Sequence, residues 1–291
     1  MINIIFFNYC IMNSYKLGIM GGRLVNSINH SIQSFSYKSW KKEFELARSC
    51  GFDVIEWIFD DFDNPILTDK GISEIHSRSM KNGILINSIC ADFFMVKKLF
   101  SISTLELEKN LEIFKKLIQS ASKLGIKIIE IPLVDSSSMK TKNEKTQFKI
   151  NLKKILPLAE EKNIIINLET DLPPLEFKKY IESFDNSHVR ANYDVGNSTS
   201  LGYNIKDEIK LLSKYITNIH IKDRLFNGST VPLGQGNVDF DLFFKVLSEI
   251  NYSGSFIIQG AREDESKISP VDTCKKYSLF VKRYLDKYQM K

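Results

Sequence analysis

The chain has 291 residues, 43% hydrophobic and 26% charged, enough apolar material for a large core and unlike a disordered or collagen-like polymer. Its formal charge of +5 comes with scattered lysines, a pattern suited to anionic small molecules such as sugar phosphates and poor for a nucleic-acid partner. Cys10, Cys50, Cys90 and Cys274 lie far apart with no C-x-x-C pair, so reduced thiols in a cytoplasmic protein are expected rather than a disulfide framework.

The opening run, MINIIFFNYCIM, is apolar but too short to cross a bilayer, and it lacks a basic start and a small-residue cleavage site. Residues 1–15 are therefore expected to be an N-terminal extension, either a disordered tip or sequence upstream of a true start at Met12, with no membrane partner. Strand and helix signals then alternate. Lys16–Met20 is a short apolar run closed by Gly21 and Gly22, and Ser39–Cys50 carries Trp40, Phe44, Leu46 and Ala47 at helical spacing. Asp53–Ile58 is strand-like, and Thr68 caps a predicted helix to Lys81, closed by Asn82 and Gly83. Ile84–Ile89 is a third strand, Thr104–Leu124 an amphipathic helix ending at Gly125, and Lys127–Ile131 a fourth strand stopped by Pro132. Glu144–Lys162 is helical with Pro157 kinking or splitting it, Ile164–Leu168 is the fifth strand, and Pro173-Pro174 opens a helix to about Phe184. His188–Tyr193, Ile216–Ile221 and Ser255–Gln259 supply strands six to eight, with helices over Ile205–Ser213, Phe240–Ile250 and Val271–Lys287.

The strands are short, read as apolar on both faces, and are each followed by a helix, the pattern of a parallel sheet covered by helices. Eight such units over residues 16–288 predict an α/β fold, a single-domain (β/α)₈ TIM barrel, whose ordinary size is about 250 residues. A doubly wound open sheet would have about five or six strands and a glycine-rich first turn, and Gly18-x-x-Gly21-Gly22 is no dinucleotide fingerprint.

In such a barrel the chemistry sits at the carboxyl ends of the strands. Glu169, Asp194, His220 and Gln259 stand at the ends of strands five to eight, neighbours in the ring. Two carboxylates, an imidazole and an amide oxygen suit Mn²⁺, Co²⁺, Mg²⁺ or Zn²⁺. Singly each has a plainer role: Glu169 as a cap or salt-bridge partner, Asp194 capping the turn at Gly196-Asn197, His220 as a hydrogen-bonded core histidine. Their order on successive strands makes them a set. Arg23, Lys222, Arg224 and Arg262 follow strands one, seven and eight, where they would hold a phosphate or carboxylate or else make surface salt bridges. On strand two, Glu56 is expected at the substrate, and Trp57 either stacks on a sugar face or fills the core.

The segments LGIMGGRL (Leu17–Leu24), IEWIFDD (Ile55–Asp61), SICADFFM (Ser88–Met95), INLETD (Ile166–Asp171) and NYDVGNSTSLGY (Asn192–Tyr203) resemble one known family. With IHIKDR (Ile219–Arg224), STVPLGQGNVDF (Ser229–Phe240) and FIIQGAR (Phe256–Arg262), the chain is similar to the sugar phosphate isomerase/epimerase family of xylose-isomerase-like barrels from about Lys16 to Lys287. The resemblance implies that Glu169, Asp194 and His220 are metal ligands, that Glu169 is also an acid/base, and that Asp223 supports the ligand histidine. The family's second glutamate, both ligand and base, is here Gln259, whose carbonyl oxygen can coordinate but cannot take a proton near neutral pH.

The implied reaction is proton abstraction beside the carbonyl of a sugar or sugar phosphate, through an enediolate stabilised by the metal. With Gln259 in place, Glu169 is expected to be the sole base, which suits 1,2 isomerisation better than 3-epimerisation. Glu56 or Glu130 could restore a second acid, or could equally anchor loops. The alternatives are a metal-dependent dehydratase of a keto-polyol and a non-catalytic barrel that binds a sugar phosphate. A DNA-repair endonuclease on the same barrel would need several zinc-binding histidines, and the chain has only His30, His76, His188 and His220. The family's habit also raises a homo-oligomer as an expectation.

Overall fold

Helix boundaries follow the caps written in the sequence. Thr68 Oγ1 accepts the Gly71 N–H at 3.0 Å to start the helix Asp69–Asn82, and Gly83 ends it in the left-handed region. Ser103 with Glu106 and Thr141 with Glu144 form reciprocal capping boxes for Thr104–Leu124 and Lys142–Lys153. Pro157 splits the predicted long helix, sitting in the first turn of a separate piece, Leu156–Glu161.

The computed structural model describes residues 15–27 and 32–290; His30 and all of the expected N-terminal extension except Tyr15 lie outside the described residues. Between the helices run eight parallel strands: Lys16–Met20, Val54–Ile58, Ser88–Cys90, Ile128–Leu133, Ile165–Thr170, Val189–Asp194, Ile216–Ile221 and Ser255–Ile258. Numbered one to eight in chain order, they close into a barrel in which strand one pairs with both two and eight. A small antiparallel ribbon, Asp223–Arg224 with Thr230–Val231, stands above strand seven.

Three strands depart from expectation by two residues or more, the fifth by running on to Thr170. The third is trimmed to Ser88–Cys90, because the chain bonds to strand two at Leu85 and regains a regular ladder only at Ser88. The fourth runs through Pro132 to Leu133, because Pro132 continues the pairing with strand five, opposite Glu169, where strand three has already ended at Cys90. Short helices over Phe93–Val96 and Val195–Ser200, absent from the sequence reading, follow strands three and six directly.

Strands one and eight are apolar on both faces through Leu17–Met20 and Phe256–Ile258, but strands two to seven carry polar residues on the inner one. Glu56, Ser88, Glu130, Asn167, Asn192, Asn218 and His220 are buried inside the barrel, while alternate residues such as Ile129, Leu168 and Ile219 fill the layer under the helices. One irregularity sets this phase. Ala191 pairs with Ile216 but Asn192 pairs with Asn218, so Thr217 has no opposite number on strand six. The skip brings Asp194 opposite His220 on the inner face.

Candidate active site

Glu56 lies at the floor of the site. Its Oε1 accepts hydrogen bonds from Ser88 Oγ at 2.6 Å and Asn218 Nδ2 at 2.9 Å, which turns Oε2 onto His220 Nε2 at 2.6 Å. Glu130 Oε2 stands 3.2 Å from the same nitrogen. Nε2 thus faces these two carboxyl groups, and the ring is oriented with Nδ1 towards strand five. There Nδ1 lies 3.2 Å from Glu169 Oε2 without making a hydrogen bond. Asn192 Nδ2 and Asn197 Nδ2 hold the two Glu169 oxygens at 2.6 and 2.8 Å. Asp194 accepts the Asn197 N–H at 2.8 Å, capping the helix Val195–Ser200, and its Oδ2 lies 2.9 Å from Lys222 Nζ. Asp194 therefore fills the capping role and faces the histidine at once.

The proton affinities reflect this crowding. Burial would raise the Glu169 pKa, but His220, 3.2 Å away, and the charge of Lys222 hold it down at about 2. Burial pushes Glu130 well above the carboxylate range, with Glu169 and Glu56 adding to the rise against His220. Burial alone would lower His220, yet Glu130 and Glu56 lift it well above the histidine range. Lys222 is likewise raised, because Asp194 and Glu169 outweigh its burial.

The donors fit a divalent cation. Glu169, Asp194 and His220 each offer a ligand atom, all within 4.8 Å of one another; Glu56, Glu130 and His220 form a second such group. Only the first uses the free Nδ1, since Nε2 is committed to Glu56. Gln259, one residue beyond strand eight, donates Nε2 to Gln33 Oε1 at 2.8 Å and keeps Oε1 buried without a partner. Carboxylates, an imidazole and an amide oxygen match an ion of intermediate hardness, which would compete with protons for these donors.

Above them opens a cavity of about 460 Å³, lined among others by Arg23, Asp92, Glu130, Glu169, Lys222, Arg224 and Gln259. Several expected residues lie elsewhere. Trp57 points away from Glu56 into the layer under the helices, donating Nε1 to Asn64 Oδ1 and packing on Phe35 and Trp40, so it stacks on no substrate. Glu56 is sealed beneath His220 and contacts the histidine, not the cavity. Arg262 spends its donors on the carbonyls of Gly22, Val25 and Ile32 and on Glu265, pinning the loop after strand one instead of facing the mouth.

Asp223 does not bear on His220. It accepts the N–H groups of Gly234, Gly236 and Val238, tying down the loop that follows the ribbon. Gly236 is required there, because a Cβ would stand 2.1 Å from Asp223 Oδ1. Sequence reasoning missed Ser88, Asn192, Asn197 and Asn218, the residues that orient the acids. The signal was present as polar residues two apart on strands five to seven: Asn167 and Glu169, Asn192 and Asp194, Asn218 and His220.

Comparison with known proteins agrees with this architecture. The chain is 27% identical over 265 residues to SgbU of Haemophilus influenzae, provisionally named an L-ribulose-5-phosphate 3-epimerase, covering 85% of this chain and 89% of the relative. It is 25% identical over 233 residues to L-ribulose-5-phosphate 3-epimerase UlaE of Escherichia coli K12, covering 76% and 81%. These curated relatives are named as epimerases, isomerase-class enzymes acting on sugars. Among solved structures, an L-ribulose 3-epimerase superposes with a TM-score of 0.76 at 18% identity, over 94% of this chain and 96% of that one. The profile of the xylose isomerase-like TIM barrel family matches residues 44–273, and the chain belongs to that family.

Proposed function

We propose that this chain is a divalent-metal-dependent isomerase or epimerase of a sugar or sugar phosphate. The observation that carries the reading is the convergence of Glu169, Asp194 and His220, with Nδ1 free on the side of the two carboxylates. Held by these residues, with Gln259 Oε1 as a further donor, a divalent ion would polarise the substrate carbonyl and lower the cost of the enediolate by several kcal/mol. Glu56 and the amides of Asn192 and Asn197 fix the ligands before substrate arrives, so little reorganisation is needed. Glu169 is ionised and lines the cavity, which supports its role as the base that takes the carbon-bound proton. The names of the curated relatives support a ketose as the substrate class.

Gln259 argues for one-base 1,2 isomerisation, since no carboxylate stands where the second base would be. A second reading, 3-epimerisation, is favoured by Glu130: it lines the cavity, whereas Glu56 does not, and so is the carboxyl placed to act as a second acid. Solvent-deuterium exchange on candidate ketoses and their phosphates separates the two. Label at C1 with aldose product supports the one-base route, and label at C3 with inverted configuration supports the second. Full activity in Glu169→Gln would remove the base assignment from both.

A further inference from the structure

Of the cations expected at the mouth, three are already engaged. Lys222 lies on Asp194, Arg224 donates to Asn197 Oδ1 and to the Gly228 carbonyl, and Arg262 grips the loop after strand one. Arg23 is different. It is 5% exposed and lines the cavity, yet among the described residues its Nε and Nη1 have no hydrogen-bond partner. Its Nη2 has one long contact, 3.4 Å to Gln33 Oε1, and no ion pair among the described residues includes it. A guanidinium cannot shed its charge near neutral pH, and a buried charge without a partner is costly to keep. Burial, with Arg262 adding its charge, lowers Arg23 only to about 10, so it remains a cation.

The backbone holds it there. Gly22 adopts φ +78, a Cβ on it would meet the Ser34 carbonyl at 2.5 Å, and its N–H is fixed by Glu43 Oε2 at 2.7 Å. Arg23 N–H donates back to the Met20 carbonyl at 3.3 Å. In the ring order, strand one lies opposite strand five, and Arg23 and Glu169 line the same cavity.

We infer that Arg23 is a binding residue for an oxyanion of the substrate, a phosphate or a carboxylate, held across the barrel from the reacting carbonyl. Only the assignment of that oxyanion to a sugar rests on the proposed function. Arg23 thus sets the direction in which the substrate lies, its anionic end at strand one and its carbonyl end at strands five to seven.

Calorimetric titration of the full chain with inorganic phosphate and with acetate tests this, run on wild type, Arg23→Met and Arg23→Lys beside a Mn²⁺ titration. Wild type is expected to bind at least one anion, phosphate pointing to a phosphorylated substrate and acetate to a sugar acid. Arg23→Met should weaken that anion by about 10-fold or more and Arg23→Lys by less, since lysine keeps the charge but loses the planar fork. Without anion, Arg23→Met should melt no lower than wild type, because a bare buried charge has been removed. Wild type binding neither anion, or Arg23→Met binding as tightly as wild type, overturns the inference. Mn²⁺ binding should be equal in all three proteins; no Mn²⁺ binding in any of them would sink the proposed function and leave the anion result standing.

Discussion

Glu56 touches no substrate, yet its replacement should be felt at the metal. In Glu56→Gln the new amide can donate to Nε2, which pushes the imidazole proton to Nδ1 and blocks the ligand lone pair. Metal affinity is expected to fall by about 10–100-fold with the fold intact, measured by Mn²⁺ titration. Gln259→Glu should act in the opposite sense, supplying a second base and raising any C3 inversion on the order of 10²-fold, read by deuterium exchange at C3.

Away from the site, burial lifts Glu43 to about 7, against hydrogen bonds from Ser36 and Gly22, and lifts Glu208 to about 7, with Ser198 and Tyr193 opposing the rise. Both folded values lie above the ordinary 4.5, so the native state holds protons that the unfolded chain has lost. Their contribution is complete below pH 4.5 and is lost as pH rises through about 7, on the order of 3 kcal/mol each. Urea midpoints should fall across that window, and Glu43→Gln should flatten part of the slope.

At the scale of elements, the alternation of capped helices with short apolar runs made all eight strands legible, because Thr68, Gly83, Ser103 and Gly125 mark boundaries by local chemistry alone. The inner polar face was not read. Consecutive residues on a strand face opposite sides, so Glu56 and Trp57 cannot both reach the mouth, and only the closed barrel shows which one turns inward. The destination of Arg262 was hidden for another reason: its partners are backbone carbonyls about 240 residues upstream, which carry no side-chain signature. Asp223 shows the same limit, since its three N–H donors lie in a loop whose path only the fold defines. Asp223→Ala should cost about 3 kcal/mol, and the amides of Gly234, Gly236 and Val238 should lose hydrogen-exchange protection first.

For the whole molecule, the order of the candidate ligands along the chain matched their order around the ring because parallel units close in sequence from strand two to strand eight. Treatment with a chelator is expected to abolish turnover, and Mn²⁺ or Co²⁺ to restore it, while far-ultraviolet circular dichroism stays unchanged. The spare residue at Thr217 carries a different consequence. Strands six and seven agree in parity only because one position is skipped between them. Removing Thr217 itself would leave an unbroken ladder with His220 still opposite Asp194, whereas a one-residue deletion between Asn218 and His220 would carry the histidine off Asp194 and towards the helices. Tolerance here is a matter of place: strand seven carries one residue it can lose at Thr217, and none to lose between Asn218 and His220.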